Sequence, residues 1–182
     1  MAVNASPTIH ASVVLVGAHA VLIRGPAGAG KSRLVLNLIQ AASHGPLMFA
    51  RLVADDRVHL EASHGRLIAR PPAALSGLLE VRGLGIRQVP YEPVAAVSWV
   101  VDLDAATSMR MPEGADAKAI VEGVPLPRLA VAPGCDPFPA VLAALTCSRP
   151  PAAAVPAPIR PPRGNEDGPP PAPAPLRAGQ VR

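Results

Sequence analysis

Aromatic residues, cysteines and long apolar runs are scarce in this sequence of 182 residues. Only 2% of the residues are aromatic, so the chain offers no stacking platform for nucleic-acid bases. Two cysteines are too few for a disulfide framework or a cysteine metal site, and they fit a reducing compartment. No apolar run reaches the roughly 18 residues of a membrane span, and residues 1–10 lack the regions of a signal peptide. These absences predict a cytoplasmic protein that binds neither nucleic acid nor membranes.

Charge and proline are divided unevenly along the chain. The formal net charge is +4, but residues 148–182 carry five arginines against two acidic residues, which leaves +1 for residues 1–147. Residues 148–182 also hold 11 of the 24 prolines and almost no large apolar residue. Burial there cannot offset the entropy cost of ordering the chain. We therefore expect one folded domain over residues 1–147 and a disordered Pro/Ala-rich tail over residues 148–182.

The apolar pattern predicts an α/β fold with a mixed sheet and flanking helices. Residues 10–16 and 20–23 are short apolar strands, and the brief turn between them requires antiparallel pairing, because a parallel crossover needs about a dozen residues. Apolar periodicity predicts a helix over residues 32–42. Further strands are expected over residues 52–54, 58–62, 66–69, 94–103 and 126–132, and further helices over residues 115–122 and 138–145.

A glycine-rich segment after the second strand carries the strongest motif. Gly25-Pro26-Ala27-Gly28-Ala29-Gly30-Lys31-Ser32 matches G-x-x-x-x-G-K-[ST], in which backbone amides and the lysine bind phosphates and the hydroxyl binds Mg²⁺. The alternative is a glycine-rich turn with an incidental lysine. The flanking strand and helix argue against that alternative, and so does the fact that Lys31 is one of only two lysines in the chain. The motif therefore predicts binding of nucleotide phosphates.

Two adjacent acids, Asp55 and Asp56, end the short strand that follows this helix. On their own they would be typical of a solvated turn. After a phosphate-binding loop, that position is where a carboxylate meets Mg²⁺ or a nucleophile. The pair permits both roles, and we assign Asp55 as the general base, because it ends the strand first, with Asp56 supporting the metal.

A third segment, Glu80-Val81-Arg82-Gly83-Leu84-Gly85-Ile86, combines two charges with two glycines. Glu80 and Arg82 bracket one valine, so on a strand they would share a face. The glycines allow a close backbone approach to a bulky or charged group. A surface ion pair ahead of a glycine loop is the alternative. His10, at the start of the first strand, has a similar alternative, because a lone histidine is usually a surface residue.

Together these segments resemble the catalytic domain of the bacterial HPr kinase/phosphorylase family in its short form. The matching pieces are His10, residues 25–32, Val53-Ala54-Asp55-Asp56-Arg57, residues 79–86 and residues 124–134, in the family's order. The resemblance covers residues 10–146. It implies a P-loop fold of the phosphoenolpyruvate carboxykinase-like type, with ATP or pyrophosphate and Mg²⁺. The implied activity is phosphorylation of a serine on HPr, a phosphocarrier protein of phosphotransferase systems, and the reverse phosphorolysis. The implied assembly is a hexamer.

The resemblance also implies roles for individual residues. The active-site positions would be His10, Lys31, Asp55, Asp56 and Arg110, with the aspartate pair supplying the base for the serine hydroxyl. Ser32 and Glu80 would bind Mg²⁺, and residues 80–88 would lie where the protein substrate and phosphate meet. Cys135 stands where the family has an arginine after Pro133-Gly134. We therefore expect the kinase direction to be stronger than the phosphorylase direction.

Two other functions remain open from the residues alone. A small-molecule P-loop kinase would use a lid with several arginines, and no such segment is evident in the sequence. A non-catalytic nucleotide sensor would need only the phosphate-binding loop. The presence of Asp55, Asp56 and Glu80 together argues against the sensor.

Overall fold

This computed structural model describes residues 7–45, 47–109 and 112–147, which contain eleven β-strands, two α-helices and one short 3-10 helix, Ala73–Leu75. The strands are β1 (Thr8–His10), β2 (Ser12–Val16), β3 (His19–Arg24), β4 (Ala50–Ala54), β5 (Arg57–Ser63), β6 (Arg66–Arg70), β7 (Leu78–Val81), β8 (Gly85–Gln88), β9 (Ala95–Asp102), β10 (Lys118–Val121) and β11 (Val124–Ala130). The helices are α1 (Lys31–His44) and α2 (Phe138–Thr146). Arg110 and the tail expected over residues 148–182 lie outside the described residues.

The main sheet is mixed, as expected. Its strands follow the order β1-β5-β6-β9-β3-β2-β4. The central strand β9 runs parallel to β3 and β11 and antiparallel to β6. The short turn between β2 and β3 produces the antiparallel pair that the sequence predicted. β7 and β8 form a separate two-stranded hairpin.

The central strands bury side chains on both faces of the sheet. Val13 and Leu22 pack into one core with residues of β5, β6, β10 and β11. Val14, Val21 and Ile23 pack into a second core with α1 and α2 on the opposite face. Because successive side chains alternate between faces, strands buried on both sides read as continuous apolar runs. Within the described residues, no helix is long and apolar enough to cross a membrane.

The strand register brings the candidate site residues to one edge of the sheet. Ser12 pairs with Ile23 of β3, and Val13 pairs with Ala54 of β4. The beginning of β2 therefore lies beside the ends of β3 and β4. The motif loop, residues 25–32, leaves β3 at this edge, and Asp55 leaves β4 beside it.

The prediction of a helix over residues 115–122 is wrong. Residues 118–121 form β10, which pairs with β11 through the two-residue turn Glu122-Gly123. Both turn residues have positive φ, 48° and 76°, which is the geometry of a tight hairpin. Exposure alternates along β10, with Ala119 and Val121 buried and Ile120 75% exposed. Pairing with β11 therefore determines the structure of this segment as a strand.

Other strands also differ from expectation. Residues 10–16 are split into β1 and β2, so His10 ends a strand that pairs with β5 rather than opening the strand beside β3. β4 begins at Ala50, two residues before the strand expected over residues 52–54. β8 was not expected, because all four of its residues are exposed and carry no apolar alternation. β8 is a strand because it pairs with β7, and an exposed strand of this kind has no apolar pattern from which to predict it.

Candidate active site

The motif loop joins β3 to α1 through closely packed backbone. Gly25 has a φ of 152°, and a Cβ atom there would lie 3.0 Å from the Cβ of Leu103 and 3.1 Å from its carbonyl oxygen. The Ala29 amide donates to the Pro26 carbonyl at 3.2 Å, which turns the loop. Gly30 has a φ of 94° and immediately precedes the first helical residue, Lys31. Glycine is needed at both positions, because a side chain would clash or be strained.

Lys31 lies buried across the motif loop, with 6% of its surface exposed. Its Nζ donates to the carbonyl oxygens of Gly25 and Pro26, both at 3.0 Å. Burial lowers the pKa of Lys31, and the negative charges of Asp55 and Asp56 counteract only part of that effect. A bound anion would stabilise the charged form of this buried lysine further. The backbone amides at the start of α1 would favour the same anion.

Asp55 is a buried carboxylate at the end of β4, 4% exposed, with three hydrogen-bond donors around it. Its Oδ1 accepts bonds from Ser12 Oγ at 2.6 Å and from Ser32 Oγ at 3.0 Å. Its Oδ2 accepts a bond from the backbone amide of Glu80 at 3.2 Å. One side chain therefore ties together β2, the start of α1 and the β7–β8 hairpin.

Asp56 has the opposite surroundings, although it is the next residue. Its φ of 63° turns the chain sharply, and its side chain is 65% exposed. Its Oδ1 lies 3.4 Å from Nε2 of His10, which is itself 42% exposed. The sharp turn thus sends two adjacent carboxylates into different environments, one into the protein and one toward solvent beside a histidine.

The β7–β8 hairpin contributes the remaining charged groups. Glu80 lies on β7, whereas Arg82 lies in the turn after it, so the expected shared strand face does not exist. Gly83, with a φ of 83°, closes this turn, and the Leu84 amide donates to the Val81 carbonyl at 2.9 Å. The hairpin nevertheless brings Glu80 and Arg82 to the same cleft.

An open cleft of about 630 Å³ unites these segments. It is lined by residues 27–33 and by His10, Leu36, Asp55, Asp56, Glu80, Val81 and Arg82. The structure thus brings together the predicted residues His10, Lys31, Ser32, Asp55, Asp56 and Glu80. Arg110 is outside the described residues, and Cys135 is exposed and does not belong to the cleft lining.

Two residues near the cleft were missed from the sequence. Ser12 is fully buried behind Asp55, and its signal was a polar residue at the head of an otherwise apolar strand. Arg33 lines the cleft from the first turn of α1, which contains no acidic residue. The helix dipole favours acidic rather than basic residues in that turn, and this mismatch was the signal for Arg33.

A charge cluster fixes the strand ends behind the motif loop. Asp102 on β9 accepts two bonds from Arg24, at 2.7 and 2.9 Å, and one from Arg128 on β11 at 2.6 Å. Burial alone would raise the pKa of Asp102, but the hydrogen bonds and charges of the two arginines outweigh it and lower the pKa. Since Arg24 directly precedes Gly25, the cluster anchors the start of the motif loop.

Known proteins share part of this sequence. The HPr kinase/phosphorylase of Clostridium tetani is 44% identical over 82 residues, which is 45% of this chain and 25% of that protein. The HPr kinase/phosphorylase of Clostridium beijerinckii is 42% identical over 81 residues, 44% of this chain and 24% of that protein. The chain therefore spans about a quarter of the length of the curated relatives that it matches.

Known proteins also share the fold. The structure of the HPr(Ser) kinase/phosphatase from Coxiella burnetii matches with a TM-score of 0.59 at 25% identity, covering 76% of this chain and 92% of that one. The sequence profile of the HPr serine kinase C-terminal domain matches residues 2–92, half of this chain. That range contains every residue that lines the cleft. The chain therefore belongs to the HPr serine kinase C-terminal domain family.

Proposed function

We propose that this chain carries the catalytic domain of an HPr kinase/phosphorylase. In the forward direction, a phosphoryl group from ATP or pyrophosphate would pass to a serine hydroxyl of an HPr-type phosphocarrier protein. In the reverse direction, inorganic phosphate would attack the phosphoserine and release the serine hydroxyl and pyrophosphate. The observation that carries this proposal is the single cleft that combines the motif loop, the aspartate pair and Glu80. The names of the clostridial and Coxiella relatives support the choice of protein substrate.

We infer that the motif loop acts as a P-loop in a fold of the phosphoenolpyruvate carboxykinase-like type. Lys31 and the first turn of α1 concentrate positive charge where nucleotide phosphates would lie. The cleft volume of about 630 Å³ is within the usual range for small-molecule sites. Phosphoryl transfer depends mainly on positioning and charge stabilisation, and this arrangement supplies both.

The oxygen atoms of Ser32 and Glu80 beside the motif loop are suitable ligands for Mg²⁺. Ser32 donates its single hydroxyl hydrogen to Asp55, which leaves its lone pairs for a cation, and Glu80 adds a carboxylate to the same cleft. No group of three or more His, Cys, Asp or Glu in the described part of the chain could hold a metal alone. Mg²⁺ typically binds one or two protein oxygens together with substrate phosphates. When bound, Mg²⁺ would neutralise charge on the transferred phosphoryl group.

The contacts of the two aspartates support Asp56, rather than Asp55, as the general base. Asp55 is buried and already accepts three hydrogen bonds, so it has little capacity for a substrate proton. Asp56 is exposed to the cleft and has His10 beside it. A serine hydroxyl would give its proton to Asp56 and recover it in the reverse reaction. This reverses the assignment made from strand order.

The proposal extends to the organisation of the protein. Residues 1–147 would form the catalytic domain and residues 148–182 a dispensable tail. The family resemblance supports a homo-oligomer, a hexamer, in the cytoplasm.

Incubation of the purified protein with γ-labelled ATP, Mg²⁺ and HPr tests the proposal. Label should appear on a serine of HPr and should be absent when that serine is replaced by alanine. Label on a small metabolite alone would instead support the small-molecule kinase. Nucleotide binding without transfer to either acceptor would support the sensor. The Asp56→Asn variant serves as the matched control for transfer that depends on this cleft.

A further inference from the structure

Ser12 is a buried polar residue behind the active-site cleft. It is fully buried at the head of β2, between Ala11 and Val13, which are fully buried as well. A buried hydroxyl needs a hydrogen-bond partner, because leaving it unpaired is costly. Its partner is Asp55 Oδ1 at 2.6 Å, and Ser12 does not belong to the residues that line the cleft. The hydroxyl therefore contacts the site only through Asp55.

Asp55 in turn holds the two residues proposed as Mg²⁺ ligands. It accepts the hydroxyl hydrogen of Ser32 and the backbone amide hydrogen of Glu80, on different oxygens. Because the Ser32 hydroxyl donates its hydrogen to Asp55, its oxygen keeps both lone pairs for a cation. The Asp55 carboxylate consequently contacts the side chain of one proposed ligand and the backbone of the other.

We infer that Ser12 is a positioning residue of the Mg²⁺-dependent step, because its hydroxyl fixes the carboxylate that orients Ser32 and Glu80. This inference rests on the proposed function. The Ser12 bond is the shortest of the three to Asp55 and approaches from the core side. Without it, Asp55 loses a donor that water cannot easily replace in a fully buried position. The carboxylate is then free to rotate away from the Ser32 hydroxyl.

The first test measures nucleotide binding without any protein substrate. Fluorescent ATP is titrated into wild type and Ser12→Ala, with EDTA and over a range of Mg²⁺ concentrations. Affinity in EDTA should be close to that of wild type. The Mg²⁺ concentration that produces half of the affinity gain should rise by about 10-fold, as is usual when the support of a metal ligand is lost. An unchanged Mg²⁺ response would overturn the inference.

Two matched variants separate positioning from a general packing effect. Ser98→Ala removes a hydroxyl that bonds to the Ala20 carbonyl at 3.3 Å, outside the cleft, and should leave the Mg²⁺ response unchanged. Ser12→Thr keeps the hydroxyl and should restore the response. A Mg²⁺ response that falls equally in Ser98→Ala, or that Ser12→Thr fails to restore while its melting temperature stays normal, would contradict the inference.

A double-mutant cycle tests whether Ser12 acts through Asp55. Once Asp55→Asn is present, Ser12→Ala should produce little further change in the Mg²⁺ response, because the carboxylate that it positions is gone. Additive effects would overturn the inference. If wild type binds Mg²⁺ and nucleotide but transfers nothing to HPr, the proposed substrate is wrong, while the binding measurements on Ser12 still decide the inference.

Discussion

At the scale of single residues, the two aspartates of the cleft have different surroundings, and we propose different roles for them. Asp56→Asn keeps the shape of an exposed side chain but removes the proposed base. Nucleotide affinity should therefore stay within a few-fold of wild type, while single-turnover phosphorylation of HPr falls by about 10²-fold or more. Nucleotide titration and single-turnover transfer, measured on the same preparation, check this prediction.

Asp55→Asn should fail differently. It replaces a charge-assisted acceptor that three donors share, so it should weaken the Mg²⁺-dependent part of nucleotide binding and lower the melting temperature. Near-normal turnover in both asparagine variants would show that the cleft runs another reaction. A turnover loss confined to Asp55→Asn, with intact Mg²⁺ response, would return the base assignment to Asp55.

Lys31 offers a second residue-level prediction, which depends on pH. Lys31→Ala should reduce both nucleotide affinity and turnover, because the ammonium would contact phosphates in the ground state and in the transition state. In wild type, the pKa of Lys31 lies below its ordinary value of 10.5 because of burial. Rising pH should therefore remove the charge, and with it nucleotide affinity, earlier than for an exposed lysine. The affinity of Lys31→Ala should lack this decline, and an identical pH profile in the two proteins would contradict the prediction.

At the scale of elements, the Asp102 cluster joins the ends of β3, β9 and β11. Asp102→Asn leaves two arginines without their carboxylate and should lower the free energy of unfolding by about 1–3 kcal/mol. Glu61→Gln, which removes the carboxylate of an exposed ion pair with Arg70 at 3.8 Å, is the matched control and should have little effect. Urea unfolding at neutral pH measures both variants.

Acid should remove the difference between wild type and Asp102→Asn. The folded-state pKa of Asp102 is lowered, so its stabilisation is fully present above the unfolded-state value of 3.8. It is lost as the pH falls through the lower folded-state value. Unfolding experiments at decreasing pH should therefore show the two stability curves converging on the acid side. A constant difference down to the lowest pH at which the protein folds would rule out the charged carboxylate as its source.

Most site residues could be predicted because each lies beside a short, locally recognisable segment. The motif loop and the Asp55-Asp56 pair follow apolar strands directly, so strand and motif together predict their location. Contacts between distant segments could not be predicted in the same way. The sequence does not indicate that Ser12 lies against Asp55, 43 positions away, and this contact is one of the reasons for proposing Asp56 as the base. The hairpin at Glu122-Gly123 is not evident from residues 115–122 alone, because the strand that pairs with them follows the turn.

At the scale of the whole molecule, the cleft and its support come from different parts of the chain. All residues that line the cleft fall between His10 and Arg82. Three elements come later in the chain: the central strand β9, its parallel neighbour β11 and the helix α2. The two strands belong to the main sheet, and α2 packs in the core on the face that carries α1. The later segments hold the start of the loop through two bonds to Arg24: the Leu103 amide donates to its carbonyl at 2.8 Å, and Asp102 accepts from its side chain at 2.7 Å. A sequence match restricted to residues 2–92 therefore covers the cleft but not these later contacts.

This division predicts different outcomes for two truncations at the end of the chain. Removing residues 148–182 should leave the melting temperature and the kinase rate nearly unchanged, because that segment is rich in proline and poor in apolar anchors. Removing residues 138–182 also deletes α2, whose Val141 is almost fully buried against the core that contains α1. The second truncation should lower the melting temperature by several degrees and reduce HPr phosphorylation. Thermal unfolding and transfer assays on both proteins compare them, and a comparable fall after the first truncation would show that residues 148–182 pack on the domain.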